Sequence, residues 1–422
     1  MNHIIIGAGP AGVIAAETLR KHAPRDSVTI VGDEREPPYS RMAIPYLLKG
    51  QITQQGTYLR ADPGYFAQQA IAIRQSRVLA VTPSKHELQL ADGTYLSYDK
   101  LLIASGSSPV QLPIPGLDLP GVHSCWTLAD ARAIARQLKP GVRVLQMGAG
   151  FIGCIIMDPL VASGAQLTVV EMGDRMVPRM MGEVAGGMIK RWCESKGVSV
   201  FTGTRVQSIQ AQNNALEVML STGQSIRVDM VIAATGVRPN IEFLQGCDIA
   251  RATGILTNEY LQTSRQDIFA AGDCAQALDL PSGQQIVSAI QPNAADQARV
   301  AALNMLGQRA VLRCVPQINV LDTLGMVSTS FGAWAGLPGG EQAVLTDIQR
   351  GRHLSLQFFG DCMVGCNSVG WSDHVGAMRG LVQGRVVLGA WKSKLLQDPT
   401  LLMPAYLACA QEQQRRHQVR AA

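Results

Sequence analysis

The sequence predicts an α/β chain, with two parallel-sheet folds in series and a C-terminal α+β domain, on three observations. An apolar run, Ile4-Ile5-Ile6, stops at Gly7-Ala8-Gly9-Pro10-Ala11-Gly12 and restarts as a helical pattern. The same arrangement returns 141 residues later, where Val142 to Met147 runs into Gly148-Ala149-Gly150-Phe151-Ile152-Gly153. From Val320 to Leu388 the pattern changes to alternating, glycine-rich β-segments, and a helical tail follows from Trp391. Strand, glycine turn and helix in this order form the opening of a Rossmann-like dinucleotide-binding fold.

Each element of the first fold has a physical reason. Ile4 to Ile6 suit a strand buried on both faces, as a parallel sheet requires. Gly7 makes the tight turn, Gly9 removes the side chain that would keep a pyrophosphate off the backbone, and Gly12 lets the helix pack close to the strand. The helix that follows, Val13 to Leu19, points its free N–H groups and positive dipole end at the phosphates. A second strand, Ser27 to Val31, ends at Gly32-Asp33-Glu34, where an acid meets the ribose hydroxyls, Asp33 first and Glu34 second.

Along the chain, Pro37-Pro38-Tyr39-Ser40-Arg41 is a polar turn into a short apolar helix, Met42 to Leu48. Arg77 to Leu96 alternates as β-strands with Asp92-Gly93 as a hairpin turn. Leu101 to Ile103 is a buried strand ending in Ala104-Ser105-Gly106, small residues against which a cofactor can lie. Asp118 to Gly121 is a connector into the second fold, whose companion strand Leu167 to Val170 ends at Glu171, 23 residues after Gly148 and near the spacing expected for the ribose acid. Met230 to Ala234 runs into Thr235-Gly236-Val237-Arg238-Pro239-Asn240, and Ile268 to Ala271 ends in Gly272-Asp273. An unpartnered carboxylate at the end of a buried strand is costly, which makes Asp273 a cofactor candidate. Asn293 to Leu306 reads as a helix, and the tail turns basic at Arg415-Arg416-His417.

Composition narrows the function. The chain has 422 residues, 47% of them apolar and 16% charged, enough for two or three cores. A net charge of +5, scattered until the tail, argues against nucleic acid. Nine cysteines run from Cys125 to Cys409 without a Cys-x-x-Cys pair, which predicts no disulfide framework, no metal site and a reduced, cytoplasmic setting. Cys274 reads as a small core residue, Cys362 and Cys366 as too few sulfurs for a metal, and Trp371-Ser372-Asp373-His374 as a surface loop. The first strand begins by His3, so no targeting segment is expected, and Phe151 to Met157 is far short of the ~20 apolar residues that span a bilayer.

Two glycine turns, the Ala-Ser-Gly and Ala-Thr-Gly strand ends and a late Ala-Gly-Asp together resemble the pyridine nucleotide-disulfide oxidoreductase superfamily, over essentially the whole chain. Pro38-Tyr39-Ser40-Arg41 is similar to the branch of NADH-dependent ferredoxin and rubredoxin reductases, apoptosis-inducing factor and the flavin part of nitrite reductases. The resemblance implies a discontinuous FAD domain over 1–108 and 237–310, an NAD domain over 109–236, and a C-terminal domain over 311–422. It implies that Gly7, Gly9, Pro10, Ala11 and Gly12 hold the FAD pyrophosphate, Asp33 and Glu34 the ribose, and Gly272 with Asp273 the ribityl end. On the same resemblance Arg41 would sit over phosphate or flavin, and Val78, Ala104, Ser105, Gly106 and Ala294 would complete the FAD surface. Gly148, Gly150, Phe151, Ile152, Gly153, Glu171 and Gly236 do the matching work for NADH, with NADPH disfavoured by Glu171 and Arg175 and Arg179 softening that preference.

Departures from the family narrow the chemistry further. No cysteine precedes Cys125, whereas the disulfide reductases carry a pair after the first fold and the peroxidases one. That leaves hydride in and electrons out through flavin, to a small redox protein such as a ferredoxin or rubredoxin. The alternatives are a redox-sensing or interaction protein with slow turnover, and a reductase of quinones or other small acceptors; a homodimer is left open. The Trp-Ser-Asp segment of Rieske-ferredoxin reductases is replaced by Gln317-Ile318-Asn319-Val320-Leu321-Asp322, so an iron-sulfur partner of another type is expected. In the resembling branch a lysine and a glutamate pair beside the reactive flavin nitrogen; their positions fall here on Tyr46 and Ile155, an altered nicotinamide site.

Overall fold

The computed structural model describes residues 1–279, 282–409 and 412, and the basic Arg415-Arg416-His417 lies outside them. The chain divides into two compact units, one of 1–110, 126–131 and 237–315, the other of 111–125, 132–236 and the described residues from Pro316 on.

The first unit is organised by a five-stranded parallel sheet, in the order Ile268–Ala270, Lys100–Ile103, Asn2–Ile6, Ser27–Gly32, Ile71–Gln75. Alternation along each strand splits its side chains between two cores. Ile5, Val28, Ile30, Leu102 and Phe269 face helices Pro10–His22 and Gln291–Met305. Ile4, Ile6, Val31, Leu101, Ile103 and Ile268 face an antiparallel layer, Val78–Thr82, Glu87–Leu90 and Tyr95–Ser97, with the expected turn at Asp92-Gly93. Ile4 and Ile5 are 2% and 0% exposed, and each such side chain contributes ~1.5–3 kcal/mol of transfer free energy. Ile4, Ile5 and Ile6 are therefore apolar in succession because each of the two faces is covered.

The second unit repeats the plan, with parallel strands in the order Ser199–Phe201, Gln166–Val170, Arg143–Met147, Met230–Ala233, Val122–Ser124. Its third-domain portion is an antiparallel sheet in the order Ile318–Thr323, Met326–Gly332, Cys362–Val369, Arg352–Phe359, Glu341–Asp347. Helices Val375–Gln383 and Ala390–Gln397 and the helical residues 402–409 supply its apolar core.

The structure corrects the sequence reading in the third domain. The β-pattern ends at Val369, not Leu388, and Val375–Gln383 is helical. Two glycines hid that helix, and one of them is needed: a Cβ on Gly380 would stand 2.5 Å from the Tyr406 ring, so only glycine lets the two helical segments meet. Helix Phe151–Ala162 runs through Pro159. Pro159 has no N–H to give the Ile155 carbonyl and is itself buried, so packing of this apolar helix outweighs the lost bond.

Among the described residues no helix is long and apolar enough to cross a membrane. All nine cysteines are thiols outside any disulfide, and no group of three or more His, Cys, Asp or Glu side chains among the described residues is placed to hold a metal.

Candidate functional site

In the first unit the glycine turn is held between two strand ends. The Gly7 N–H donates to the Val31 carbonyl at 2.7 Å and the Ala104 N–H to the Ile6 carbonyl at 2.8 Å. Gly7 has φ +113°, and a Cβ there would stand 2.1 Å from the Ala104 oxygen; a Cβ on Gly12 would stand 1.9 Å from the Gly7 oxygen. Gly9 differs: a Cβ there meets no protein atom within 4 Å, so its face is open space beside the first turn of Pro10–His22. A turn with one glycine open to solvent and two forced by packing fits a pyrophosphate lying against backbone N–H groups.

The strand ends converge on that turn. Ser105 Oγ donates to the Asn240 carbonyl at 2.7 Å, and Asn240 Nδ2 returns a bond to the Ser105 carbonyl at 3.0 Å, fixing Ala104-Ser105-Gly106. Asp273 Oδ2 accepts from Ser107 Oγ at 2.7 Å. Burial pushes the Asp273 carboxyl up, while the Ser107 hydroxyl and the Arg41 charge pull it down. Gly272 has φ +79° and gives its N–H to Gln297 Oε1 at 2.7 Å. Gln297 is 1% exposed and its Nε2 has no partner among the described residues, an orphaned donor on the side chain that holds Gly272, next to Asp273 in the chain, that a bound polar group would satisfy. Val78 and Ala294 are buried in the two cores that flank the sheet.

Of the two candidate acids, Glu34 is committed within the protein and Asp33 is exposed. Glu34 Oε2 accepts from the Tyr39 hydroxyl and Oε1 from Arg41, both at 2.6 Å. Arg41 also donates to the Tyr39 oxygen and to the Trp126 carbonyl, with its guanidinium 5.3 and 5.4 Å from the Tyr39 and Trp126 rings. Burial raises the Tyr39 phenol, and the adjacent Glu34 adds to that, so the hydroxyl remains a donor. Trp126 Nε1 donates to the Ser107 carbonyl at 3.0 Å, which ties this cluster to the Asp273 side. Trp126, Ser107 and Gln297 carry no motif and were not legible as site residues.

The second unit reproduces the glycine geometry. Gly148 has φ +95° and donates to the Val170 carbonyl at 2.8 Å, and Ala234 donates to the Met147 carbonyl at 2.8 Å. A Cβ on Gly153 would stand 2.4 Å from the Gly148 oxygen, whereas Gly150 and Gly236 face open space. Phe151 and Ile152 form the half-buried first turn of the helix. Gln146, a polar residue inside the apolar strand, donates to the Gly148 carbonyl at 2.9 Å. Glu171 is 9% exposed and accepts from Ala149 N–H and Gly173 N–H, each at 2.7 Å. Arg175 is spent on its own loop, with Nε on the Met181 carbonyl at 2.9 Å and a terminal nitrogen on Asp174 at 2.8 Å. Its hydrogen bonds are thus made to Met181 and Asp174.

Tyr46 lies on helix Ile44–Leu48 and is 55% exposed; Ile155 lies half-buried on Phe151–Ala162. Each belongs to a different unit.

The likeness to known proteins agrees with this pair of glycine turns. Residues 1–301 match the pyridine nucleotide-disulphide oxidoreductase family. The chain is 31% identical over 402 residues to the NADH-dependent phenylglyoxylate dehydrogenase subunit epsilon of Aromatoleum evansii, covering 94% of this chain and 95% of that one. It is 34% identical over 330 residues to the rhodocoxin reductase of Rhodococcus erythropolis, covering 75% and 74%. Among solved structures, a covalent putidaredoxin reductase-putidaredoxin complex superposes with a TM-score of 0.88 at 25% identity, over 97% of this chain and 99% of that one. The chain belongs to the pyridine nucleotide-disulphide oxidoreductase family and is an NAD(P)H-dependent flavin oxidoreductase of the ferredoxin reductase kind.

Proposed function

We propose that the protein takes a hydride from NADH onto FAD and delivers the electrons to an iron-sulfur redox protein such as a ferredoxin or rubredoxin. The observation that carries this reading is the pair of glycine turns, each with two glycines forced by backbone contact and one left open. When bound, FAD supplies the conversion between a two-electron hydride donor and one-electron acceptors. The FAD domain is assigned to 1–108 and 237–310, the NADH domain to 109–236, and the rest to the C-terminal domain.

The chain's own groups do the holding. Gly7 to Gly12 presents backbone N–H groups and the positive end of Pro10–His22 to the pyrophosphate, and Arg41 adds a fixed cation. Asp33 takes the ribose hydroxyls, since Glu34 is engaged with Tyr39 and Arg41. Asp273 and the Gln297 amide take the ribityl hydroxyls, a role supported by the unpartnered Gln297 nitrogen. In the second unit, Glu171 is fixed by two backbone N–H bonds, accepts the NADH ribose hydroxyls and repels a 2′-phosphate. No cysteine precedes Cys125, and Cys274 is fully buried with its thiol raised by burial, so the reading has no thiol relay. A protein acceptor is supported by the relative matched along nearly its whole length, itself named as a subunit of a dehydrogenase. An odd number of cysteines without a Cys-x-x-Cys pair supports a cytoplasmic setting.

The test is NADH-driven reduction of a panel of ferredoxins and rubredoxins by the purified yellow protein. Turnover with at least one is expected; a protein that binds no FAD on reconstitution, or turns over with none of them, contradicts the reading.

Tyr46 and Ile155 are proposed to make hydride transfer slower than in relatives with the lysine and glutamate. Two neutral groups in place of a charged pair leave no charge uncompensated, so stability is preserved while the nicotinamide loses a fixed anchor. Tyr46→Lys together with Ile155→Glu is expected to speed anaerobic flavin reduction by NADH more than the product of the two single changes. Single changes that multiply independently would remove the pairing from the account.

A further inference from the structure

We infer that Asn367 is a positioning residue for the nicotinamide dinucleotide: from the third domain it holds the loop that braces Glu171 and the second glycine turn. The inference rests on the reading that this turn takes NADH. Asn367 lies in the strand Cys362–Val369, far in sequence from the turn, and is 3% exposed. Its Oδ1 accepts from the Gly182 N–H at 3.1 Å, and its Nδ2 donates to the Met180 carbonyl at 2.9 Å and, more weakly, to the Cys366 carbonyl at 3.3 Å. A buried amide is stable only with its donors and acceptor met, and here the backbone of residues 180–182 meets them.

From that clamp a continuous set of bonds leads to the site. The Met180 and Met181 N–H groups donate to the Val177 carbonyl at 3.0 Å, and the Val177 N–H donates to the Ala149 carbonyl at 2.9 Å, inside the glycine turn. The Ala149 N–H in turn donates to Glu171. Arg175 Nε adds a bond to the Met181 carbonyl, and a Cβ on Gly186 would crowd the Arg175 stem at 3.0 Å, so the helix surface beneath is cut to receive it. Val177 is the residue that shows the loop is held and not merely resting. It is a β-branched residue at φ +49°, 1% exposed. Such a residue keeps the left-handed conformation only where its surroundings over-determine it. Gly182 precedes helix Glu183–Ser195 with no side-chain cap of its own, so Asn367 supplies a partner that the local sequence lacks. Released at Asn367, the loop is free to relax Val177, and the Ala149 carbonyl and Glu171 lose the brace that pre-sets them for the dinucleotide.

The experiment is calorimetric titration of the FAD-loaded protein with NAD⁺, which binds without turnover, alongside NADH kinetics and melting temperature. Asn367→Ala is expected to raise the NAD⁺ Kd and the NADH KM about tenfold, as expected for a lost buried bond, with FAD content unchanged. Ser368→Ala is the companion variant: the same strand, 0% exposed, its hydroxyl bonded to Thr329 at 2.7 Å and to the Trp371 carbonyl, away from the loop. It is expected to lower the melting temperature comparably and leave Kd as in the parent. Asn367→Ala binding NAD⁺ as tightly as the parent, or Ser368→Ala weakening it equally, overturns the assignment. A parent protein that binds no NAD⁺ overturns the NADH reading itself, and the assignment with it.

Discussion

Gly9→Ala is expected to leave the cofactor-free chain as stable as the parent and yet weaken FAD binding by about a hundredfold, whereas Gly12→Ala is expected to give a colourless, destabilised protein. The two glycines sit three residues apart in one turn, and their surroundings differ. Gly9 has φ −79°, which any residue adopts, and a Cβ there meets nothing within 4 Å, so the fold does not require it to be glycine. Its open face is needed only if another molecule lies against the backbone. A Cβ on Gly12 would stand 1.9 Å from the Gly7 oxygen, and the helix would have to lift from the strand by an ångström or more. Overpacking of this sort costs ~1–3 kcal/mol, occasionally more, and here it also distorts the N–H cradle. Melting curves of the cofactor-free proteins and FAD titrations separate the two effects. Equal FAD affinity for Gly9→Ala and the parent would show that the open face is not the pyrophosphate site.

Glu171→Ala is expected to lower kcat/KM for NADH by about a hundredfold and to abolish discrimination against NADPH without making NADPH a good substrate. The carboxylate has two tasks. It fixes the Ala149 and Gly173 N–H groups, and each buried donor left unmet costs ~1–3 kcal/mol, so stability falls as well. On the proposed reading it also excludes a 2′-phosphate by charge. A gain of NADPH activity would need a cation nearby, and Arg175 is held by Met181 and Asp174. Steady-state kinetics with both nucleotides and one acceptor measure this; strong NADPH turnover in the variant would mean that Arg175 or Arg179 swings to the site.

Much of the fold was legible because its signals are local. Ile4 to Ile6 and Val142 to Met147 read as strands buried on both faces, and Gly12 and Gly153 are forced by contact with the Gly7 and Gly148 carbonyls of the same turn. Legibility ended where partners come from far away. Gln297 and Trp126 look like ordinary helix and loop residues until the sheet brings them to Gly272 and Ser107. Asn367 is a polar residue in a buried strand, and only the structure shows the Gly182 and Met180 backbone that makes its burial affordable. The helix at Val375–Gln383 was missed for the opposite reason: Gly380 weakens local propensity in order to admit Tyr406, so packing overrode the sequence signal.

The account's central claim is tested most directly by mixing the purified, FAD-loaded protein with NADH in the absence of air and following flavin absorbance, then adding an oxidised ferredoxin or rubredoxin. The account predicts that NADH bleaches the flavin, that NADPH does so poorly, and that the acceptor restores the oxidised spectrum as it is itself reduced. A flavin that stays oxidised in excess NADH would contradict it.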